Sequence, residues 1–415
     1  MKSRIVTTLV CTLTALSAQV PAPMQSGIAL QATELLPAEL LRGTSYRVRD
    51  LVVTDGFMAH FTIDSDFGTF EAVGVPQAKK RIGEVAAIRT LVETSKGDLF
   101  AEGLKRSVEQ PIDAVKNIIS HPVDSVKAAP KTVGHFFSKI GSSVSTGFNK
   151  VKDSTSGDGP QPTAGEIGSG IGNAAKNAAG FDKAKLDTAR QLGVDPYSDN
   201  PRLQEEMDKV TWAFFAGGLP LRVGAAVASA GVAVAATNMV GIPGDTYALT
   251  QGELLLRDGR SLAEMGITDE DIYKFKAQPT LSTTRRHQIV TALEALPKTR
   301  GRGRVILLAN ACETADQADF LIGALEILAR QQKAGAADYA SIEVIGRLPA
   351  AMTTAGELHV AAPVDFVTWT EQVAGFSSRD DLGQAPRVLL HTGKIAPPAA
   401  EGLKAAGWSL LPLPY

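Results

Sequence analysis

The chain has 415 residues, 44% of them hydrophobic, with 42 basic and 44 acidic side chains. Its length indicates two or three domains, each able to bury a core. A nucleic-acid-binding protein carries a basic excess, so this charge balance argues against nucleic acid as a partner.

The first eighteen residues have the pattern of a secretory signal peptide. Lys2 and Arg4 precede an uncharged, mostly apolar run, and Ala18 is a small residue placed before Gln19. Such a segment is removed on export. We therefore predict a periplasmic or secreted protein with signal peptide 1–18. The mature chain would keep 40 basic and 44 acidic residues, a net charge of about −4, and Cys312 as its only cysteine.

The next part of the chain, 19–103, reads as a small β3α unit. Short alternating runs over 45–74 predict an antiparallel meander with a tight turn at Asp55 and Gly56. Apolar residues then recur at helical spacing over 77–93, which predicts a helix that covers one face of the sheet.

Residues 104–152 form a predicted amphipathic helical repeat segment. PIDAVK at 111–116 recurs as PVDSVK at 122–127, and each unit has proline and aspartate where a helix begins. Apolar side chains over 133–151 then fall in one stripe, with lysines on the other side. The residues predicted to contact a membrane or a partner are Phe136, Phe137, Lys139, Ile140, Val144, Phe148 and Lys150.

A change in composition over 153–180 predicts a flexible linker, because this stretch is rich in Ser, Gly and Pro. Residues 181–338 form a mostly helical region, with helical spacing over 182–192, 203–212, 261–277, 283–296 and 304–332. Residues 223–244 carry no charge and are long enough to span a bilayer. Their alanine and glycine content favours a helix or loop buried in protein over insertion.

The last part, 339–415, reads as a small α/β domain. A strand is predicted over 341–345, followed by a hairpin around Ala355 and Gly356 and a helix over 364–373. Strand 387–390, helix 399–406 and strand 409–411 would form one crossover with parallel strands. The predicted fold class is α+β multidomain, with a small N-terminal β3α unit, a mostly helical middle and this C-terminal α/β domain.

Three features together resemble a family of exported proteobacterial proteins of unknown function. They are LGVDPYSDNPRLQ at 192–204, the repeated proline units, and the ending with TG at 392–393 and GW at 407–408. The resemblance spans most of the mature chain and implies export and this order of segments. It implies no activity, so no functional residue follows from it.

Few residues point to chemistry. A catalytic Cys312 would need a histidine such as His287, His359 or His391 beside it; a lone cysteine among Ala and Leu is more typical of a buried apolar residue. Asp64 and Asp66 are spaced like two calcium ligands, but Val75 stands where an EF-hand loop has Glu. No histidine pair has metal-ligand spacing and no glycine run follows a strand, so we predict neither a metal nor a cofactor.

These observations favour an exported, non-enzymatic accessory or interaction protein at the bacterial cell envelope. Its predicted partners are a membrane surface or an envelope protein, contacted through the amphipathic segment. The alternative is a periplasmic hydrolase or transferase with a site in the C-terminal region. Whether the chain is an enzyme stays open at this point, because catalytic residues need not be close in sequence.

Overall fold

The computed structural model describes residues 24, 28–109, 180–220 and 241–413. This part of the chain is α+β, with eleven helices and three sheets. N-terminal strands, a helical middle and a C-terminal sheet follow one another along the chain. The predicted fold class is confirmed.

The N-terminal sheet has six strands. They are β1 (Ala29–Gln31), β2 (Arg42–Gly43), β3 (Tyr46–Val48), β4 (Leu51–Thr54), β5 (Ala59–Ser65) and β6 (Gly68–Val73). The meander of β4, β5 and β6 is antiparallel, as predicted. β4 pairs with the start of β5 and β3 with its end, so β3 and β4 act as one strand that is interrupted at Arg49 and Asp50. β1 and β2 were not predicted; they extend the sheet at its two ends.

Helix α1 (Val75–Thr94) covers this sheet and also contacts the helical region. It begins where Gly74 turns the chain with φ of +91° and Pro76 occupies the first turn. Apolar side chains lie on all sides of α1, because it is buried between two layers. Helix α2 (Asp98–Glu109), helix α3 over 180–192 and helix α4 (Pro201–Ala216) follow it in the chain.

Five further helices complete the helical region. They are α5 (Gln251–Glu264), α6 (Asp269–Ala277), α7 (Thr283–Glu294), α8 (Arg302–Asn310) and α9 (Ala315–Lys333). The helical spacing over 261–277 proved to be two helices. Gly266 has φ of +80° at the break, and the Thr268 side chain caps α6.

The C-terminal sheet has strand order β13-β11-β9-β8-β7. Its strands are β7 (Tyr339–Ile345), β8 (Leu348–Thr353), β9 (Leu358–Ala362), β11 (Arg387–His391) and β13 (Trp408–Pro412). The predicted hairpin corresponds to antiparallel β8 and β9. β11 and β13 are parallel, as predicted, and α11 (Pro397–Ala405) connects them.

The predicted helix over 364–373 is wrong. Residues Phe366–Val367 form β10, which pairs in parallel with β12 (Lys394–Ile395), and α10 (Glu371–Ser377) begins only after the Thr370 cap. The β10 segment carries Val364, Val367 and Trp369 into the C-terminal core. Backbone pairing with a distant strand therefore overrides the local helical spacing.

A buried carboxylate joins the N-terminal sheet and α1 to the segment between β9 and β10. Asp365 is 2% exposed, and its two oxygens accept hydrogen bonds from the backbone N–H groups of Ala59 and Val75, each at 3.0 Å. Val75 is the first residue of α1, where the helix dipole favours a negative charge. Phe57 also meets Phe320 edge to face, with ring centroids 6.3 Å apart. The N-terminal unit therefore contacts the C-terminal half through Asp365 and also contacts α9 through Phe320.

The segments on either side of the predicted linker share a core. Ile88 and Leu91 of α1 pack in one cluster with Leu203 and Met207 of α4, all fully buried. The linker prediction itself lies outside the described residues except for Gly180, which already belongs to α3. The domain boundaries around it stay predictions.

We predict that cutting the backbone between 153 and 179 does not release the N-terminal unit. A protease recognition site placed there should give two fragments that elute together in size-exclusion chromatography under native conditions, because α1 and α4 share a buried core. The same fragments should separate in denaturant. Elution of the N-terminal fragment alone in native buffer would show that this shared core is too weak to hold the pieces together.

Candidate functional site

The turn at 195–200 lies at the centre of a group of buried charged side chains. Asp195 is 1% exposed and accepts hydrogen bonds from Lys80 Nζ at 2.9 Å and Thr284 Oγ1 at 2.5 Å. The same carboxylate accepts a hydrogen bond from the backbone N–H of Tyr197, and this bond closes the turn. One side chain therefore connects α1, the turn and α7.

A second buried carboxylate lies on α1. Glu84 is fully buried and accepts hydrogen bonds from Ser198 Oγ at 2.5 Å, Asn200 Nδ2 at 2.9 Å and Arg81 Nη1 at 2.7 Å. The Asn200 side-chain oxygen accepts hydrogen bonds from the backbone N–H groups of Arg202 and Leu203. Asn200 thereby caps α4. The orientation of α4 is thereby coupled to α1.

Two arginines complete the arrangement on its more accessible side. The Asp199 carboxylate accepts hydrogen bonds from Arg81 Nη2 at 2.6 Å and from Arg285 Nη2 at 2.7 Å. Arg285 also makes a two-pronged contact with Asp319 of α9, at 2.7 and 2.9 Å. We call these seven ionisable side chains the buried ion network: Lys80, Arg81, Glu84, Asp195, Asp199, Arg285 and Asp319.

The charges in the network stabilise one another. Burial alone would raise the pKa of Asp199, but Arg285 and Arg81 hold that pKa well below its usual range. Burial likewise opposes the charge on Lys80, yet Asp195 and Glu84 raise its pKa above the ordinary value. Lys80 and Asp199 therefore stay ionised at neutral pH and act as fixed structural charges.

The surroundings of Cys312 do not favour a nucleophilic thiolate. Its thiol is 7% exposed, and Sγ donates to the carbonyl oxygen of Leu308 at 3.5 Å within the turn that ends α8. Burial raises the pKa of the thiol, which disfavours the thiolate that a nucleophile needs. No hydrogen bond joins Cys312 to a histidine in the described part of the chain.

The candidate histidines have separate partners. His287 Nδ1 lies 2.8 Å from Asp258 Oδ1, and His359 Nδ1 lies 3.2 Å from the Tyr339 hydroxyl. His391 Nδ1 lies 2.8 Å from the carbonyl oxygen of Gly393, and burial lowers the pKa of His391. The structure thus does not bring His359 or His391 to Cys312.

The acidic turn between β5 and β6 has a structural explanation. Arg49 donates two hydrogen bonds to Asp64, at 2.8 and 3.0 Å, and the backbone N–H of Asp66 donates to the carbonyl oxygen of Ser45. The described residues contain no group of three or more His, Cys, Asp or Glu side chains that could hold a metal ion.

The predicted membrane or partner contact residues, from Phe136 to Lys150, lie outside the described residues, as do 223–240 of the uncharged stretch. Among the helices that are described, none is long and apolar enough to cross a membrane.

Most of the buried ion network was missed in the sequence. The sequence analysis predicts a helix over 77–93 from its apolar residues alone and assigns no role to Lys80, Arg81 or Glu84. One signal was present: apolar residues surround these charges on all sides of α1, which is the pattern of a buried helix. Charges inside such a helix require buried partners.

Comparison of the chain with models of protein families, with curated proteins and with solved structures gave no match. The resemblance to exported proteobacterial proteins therefore stays a prediction.

We predict that Asn200→Ala destabilises the protein more than removal of an ordinary helix cap. The variant loses the α4 cap, about 1 kcal/mol, and a partner of buried Glu84, about 1–3 kcal/mol, so the free energy of unfolding should fall by roughly 2–4 kcal/mol. The matched control is Thr314→Ala, which removes the exposed cap of α9 and should cost only about 1 kcal/mol. Equal losses in urea titrations would mean that the Glu84 contact contributes nothing.

Proposed function

We propose that this chain is an exported, non-enzymatic accessory or interaction protein of the bacterial cell envelope. It contacts a membrane surface or an envelope protein through the amphipathic residues 133–151, and it uses no cofactor. The folded part acts as a rigid body that carries this segment.

The proposal that the protein is not an enzyme rests on the hydrogen bonding of its buried polar side chains. In the buried ion network, both fully enclosed carboxylates have at least three donors each. A general acid or base needs an accessible proton and a pKa near the working pH. Asp195 and Glu84 offer no accessible proton, because both are enclosed and each is hydrogen-bonded by three donors.

The alternative reading, a periplasmic hydrolase or transferase with a C-terminal site, is less well supported. It requires a nucleophile within hydrogen-bond reach of a base. Cys312 and His391 are each bonded instead to a backbone carbonyl oxygen, and His359 lies between the Tyr339 hydroxyl and the Glu357 carboxylate, neither of which is near Cys312 by any hydrogen bond of the described residues. These contacts favour structural roles for all three.

Export and the contact with a membrane or an envelope protein are supported by the amino-acid sequence. The first eighteen residues have the pattern that directs secretion. Phe136, Phe137 and Phe148 share one side of a helical projection, with Lys139 and Lys150 on the other, which is the pattern of an interfacial helix. Glycines at 134, 141 and 147 weaken an isolated helix by about 1 kcal/mol each, so apolar contacts must order this segment.

The test uses the full chain secreted by a Gram-negative host. We expect protein recovered from the periplasm to begin at Gln19 and to co-sediment with vesicles of phosphatidylethanolamine and phosphatidylglycerol, or with an envelope protein. Phe136→Ser with Phe137→Ser should abolish this binding and leave the melting temperature unchanged.

The matched control replaces two large apolar residues that are exposed elsewhere. Leu99 and Leu256 are each 61% exposed, so Leu99→Ser with Leu256→Ser should leave binding intact. A large drop in melting temperature for the Phe136 and Phe137 variant would place these residues in the protein's own core and refute the contact proposal. A dominant species that retains Met1 would refute export.

A further inference from the structure

One long edge of the N-terminal sheet has no partner strand in the described part of the chain. β6 pairs with β5 alone, in regular register over six residue pairs. The N–H of Gly74 donates to the carbonyl oxygen of Ala59, and backbone groups alternate in direction along a strand. The N–H and C=O groups of Thr69, Glu71 and Val73 therefore point away from β5, and no backbone group of the described residues bonds to them.

The other edges of the two larger sheets are short or protected. The backbone of Arg300 pairs with β7, and β13 ends with Pro412, which has no N–H to donate. In β1, the N–H of Gln31 is bonded to the Glu34 side chain, and β2 has only two residues. Natural proteins protect free edges by such means, or with lysines and bulges. β6 contains no proline or lysine and has no bulge, so its edge is available for pairing.

The side chains along this edge are complementary to those of a second copy of the same strand. Thr69 and Glu71 are exposed on the face of the sheet opposite α1. In an antiparallel pair of two β6 strands with a two-fold axis at Phe70, Thr69 of each copy lies directly opposite Glu71 of the other. The sheet already contains such a pair, because the Thr62 hydroxyl donates to Glu71 at 2.9 Å across β5 and β6. Cross-strand pairs of this kind stabilise a sheet.

Glu71 also selects this register. A two-fold axis at Glu71 itself would place the two Glu71 carboxylates opposite each other, and like charges in that position destabilise a sheet. An axis at Ala72 would place Glu71 opposite Val73, whose side chain has no hydrogen-bond donor. With the axis at Phe70, each Thr69 exchanges both backbone hydrogen bonds with one Glu71. The two half-buried Phe70 side chains then face each other as a non-hydrogen-bonded pair, where side chains approach most closely.

We propose that two copies of this chain associate through β6, as antiparallel strands related by a two-fold axis at Phe70, and thereby join their N-terminal sheets into one. Such an arrangement closes on itself, because both copies use the same edge. Two strands of six residues bury much less than the roughly 1,200 Å² of a standard stable interface, so the dimer is weak and forms at high protein concentration. It does not depend on the export or membrane contact proposed above.

The test measures the monomer–dimer equilibrium of the full mature chain by sedimentation velocity, at concentrations up to about 1 mM. We expect a concentration-dependent dimer whose dissociation constant changes in opposite directions with the charge at position 69. Thr69→Lys places a cation opposite Glu71 in both cross-strand pairs and should tighten the dimer about fivefold, whereas Thr69→Glu creates two like-charge pairs and should weaken it about fivefold. A folding defect cannot produce opposite changes at one position.

The matched controls are Val53→Lys and Val53→Glu. Val53 is 52% exposed on β4, which lies inside the sheet between β1 and β5, so neither charge should change the dissociation constant. Amide hydrogen exchange over 68–73 should slow as the dimer forms, because the free N–H groups of β6 become bonded.

Four results would overturn the proposal. They are a wild-type chain that stays monomeric at about 1 mM, changes of the same sign or no change in the two Thr69 variants, equal changes in the Val53 variants, and a dimer that forms without slower exchange over 68–73. An edge that pairs only with a strand of another protein would give the first of these results.

Discussion

Two carboxylates that are fully enclosed, on Asp195 and Glu84, set the main constraint on this fold. An ionised carboxylate removed from water costs several kcal/mol unless cations and hydrogen-bond donors replace the lost hydration. Lys80 and Arg81 supply the charge, while Ser198 and other turn groups supply the donors. All of them must be in position at once, so α1, the 195–200 turn, α4 and α7 assemble in one arrangement only.

The rest of the described structure is positioned through this arrangement. α1 carries the N-terminal sheet, and Asp365 binds the start of the same helix from the C-terminal side. α9 lies against the C-terminal sheet and α7 packs on α9; the two helices meet the network through Asp319 and Arg285.

Local signals in the sequence predicted most helices and strands. Caps such as Thr314 and turn glycines such as Gly56 act over a few residues, and they mark the ends of elements directly. Long-range contacts were not predictable in this way. β10 forms because 366–367 pair with 394–395, and the helical spacing around Trp369 gives no hint of it. In the candidate site, Lys80 meets a partner 115 residues away, across the predicted linker.

Buried, paired charges specify how the elements of this fold assemble, and a double-mutant cycle on Lys80 and Asp195 tests this most directly. Lys80→Met and Asp195→Asn each leave one partner buried and unpaired, so each should lower the free energy of unfolding by about 3–5 kcal/mol. The double variant should lose clearly less than the sum of the two, because it leaves no uncompensated charge in this pair. Losses that add to within about 0.5 kcal/mol would show that the two side chains act independently, and would contradict the account.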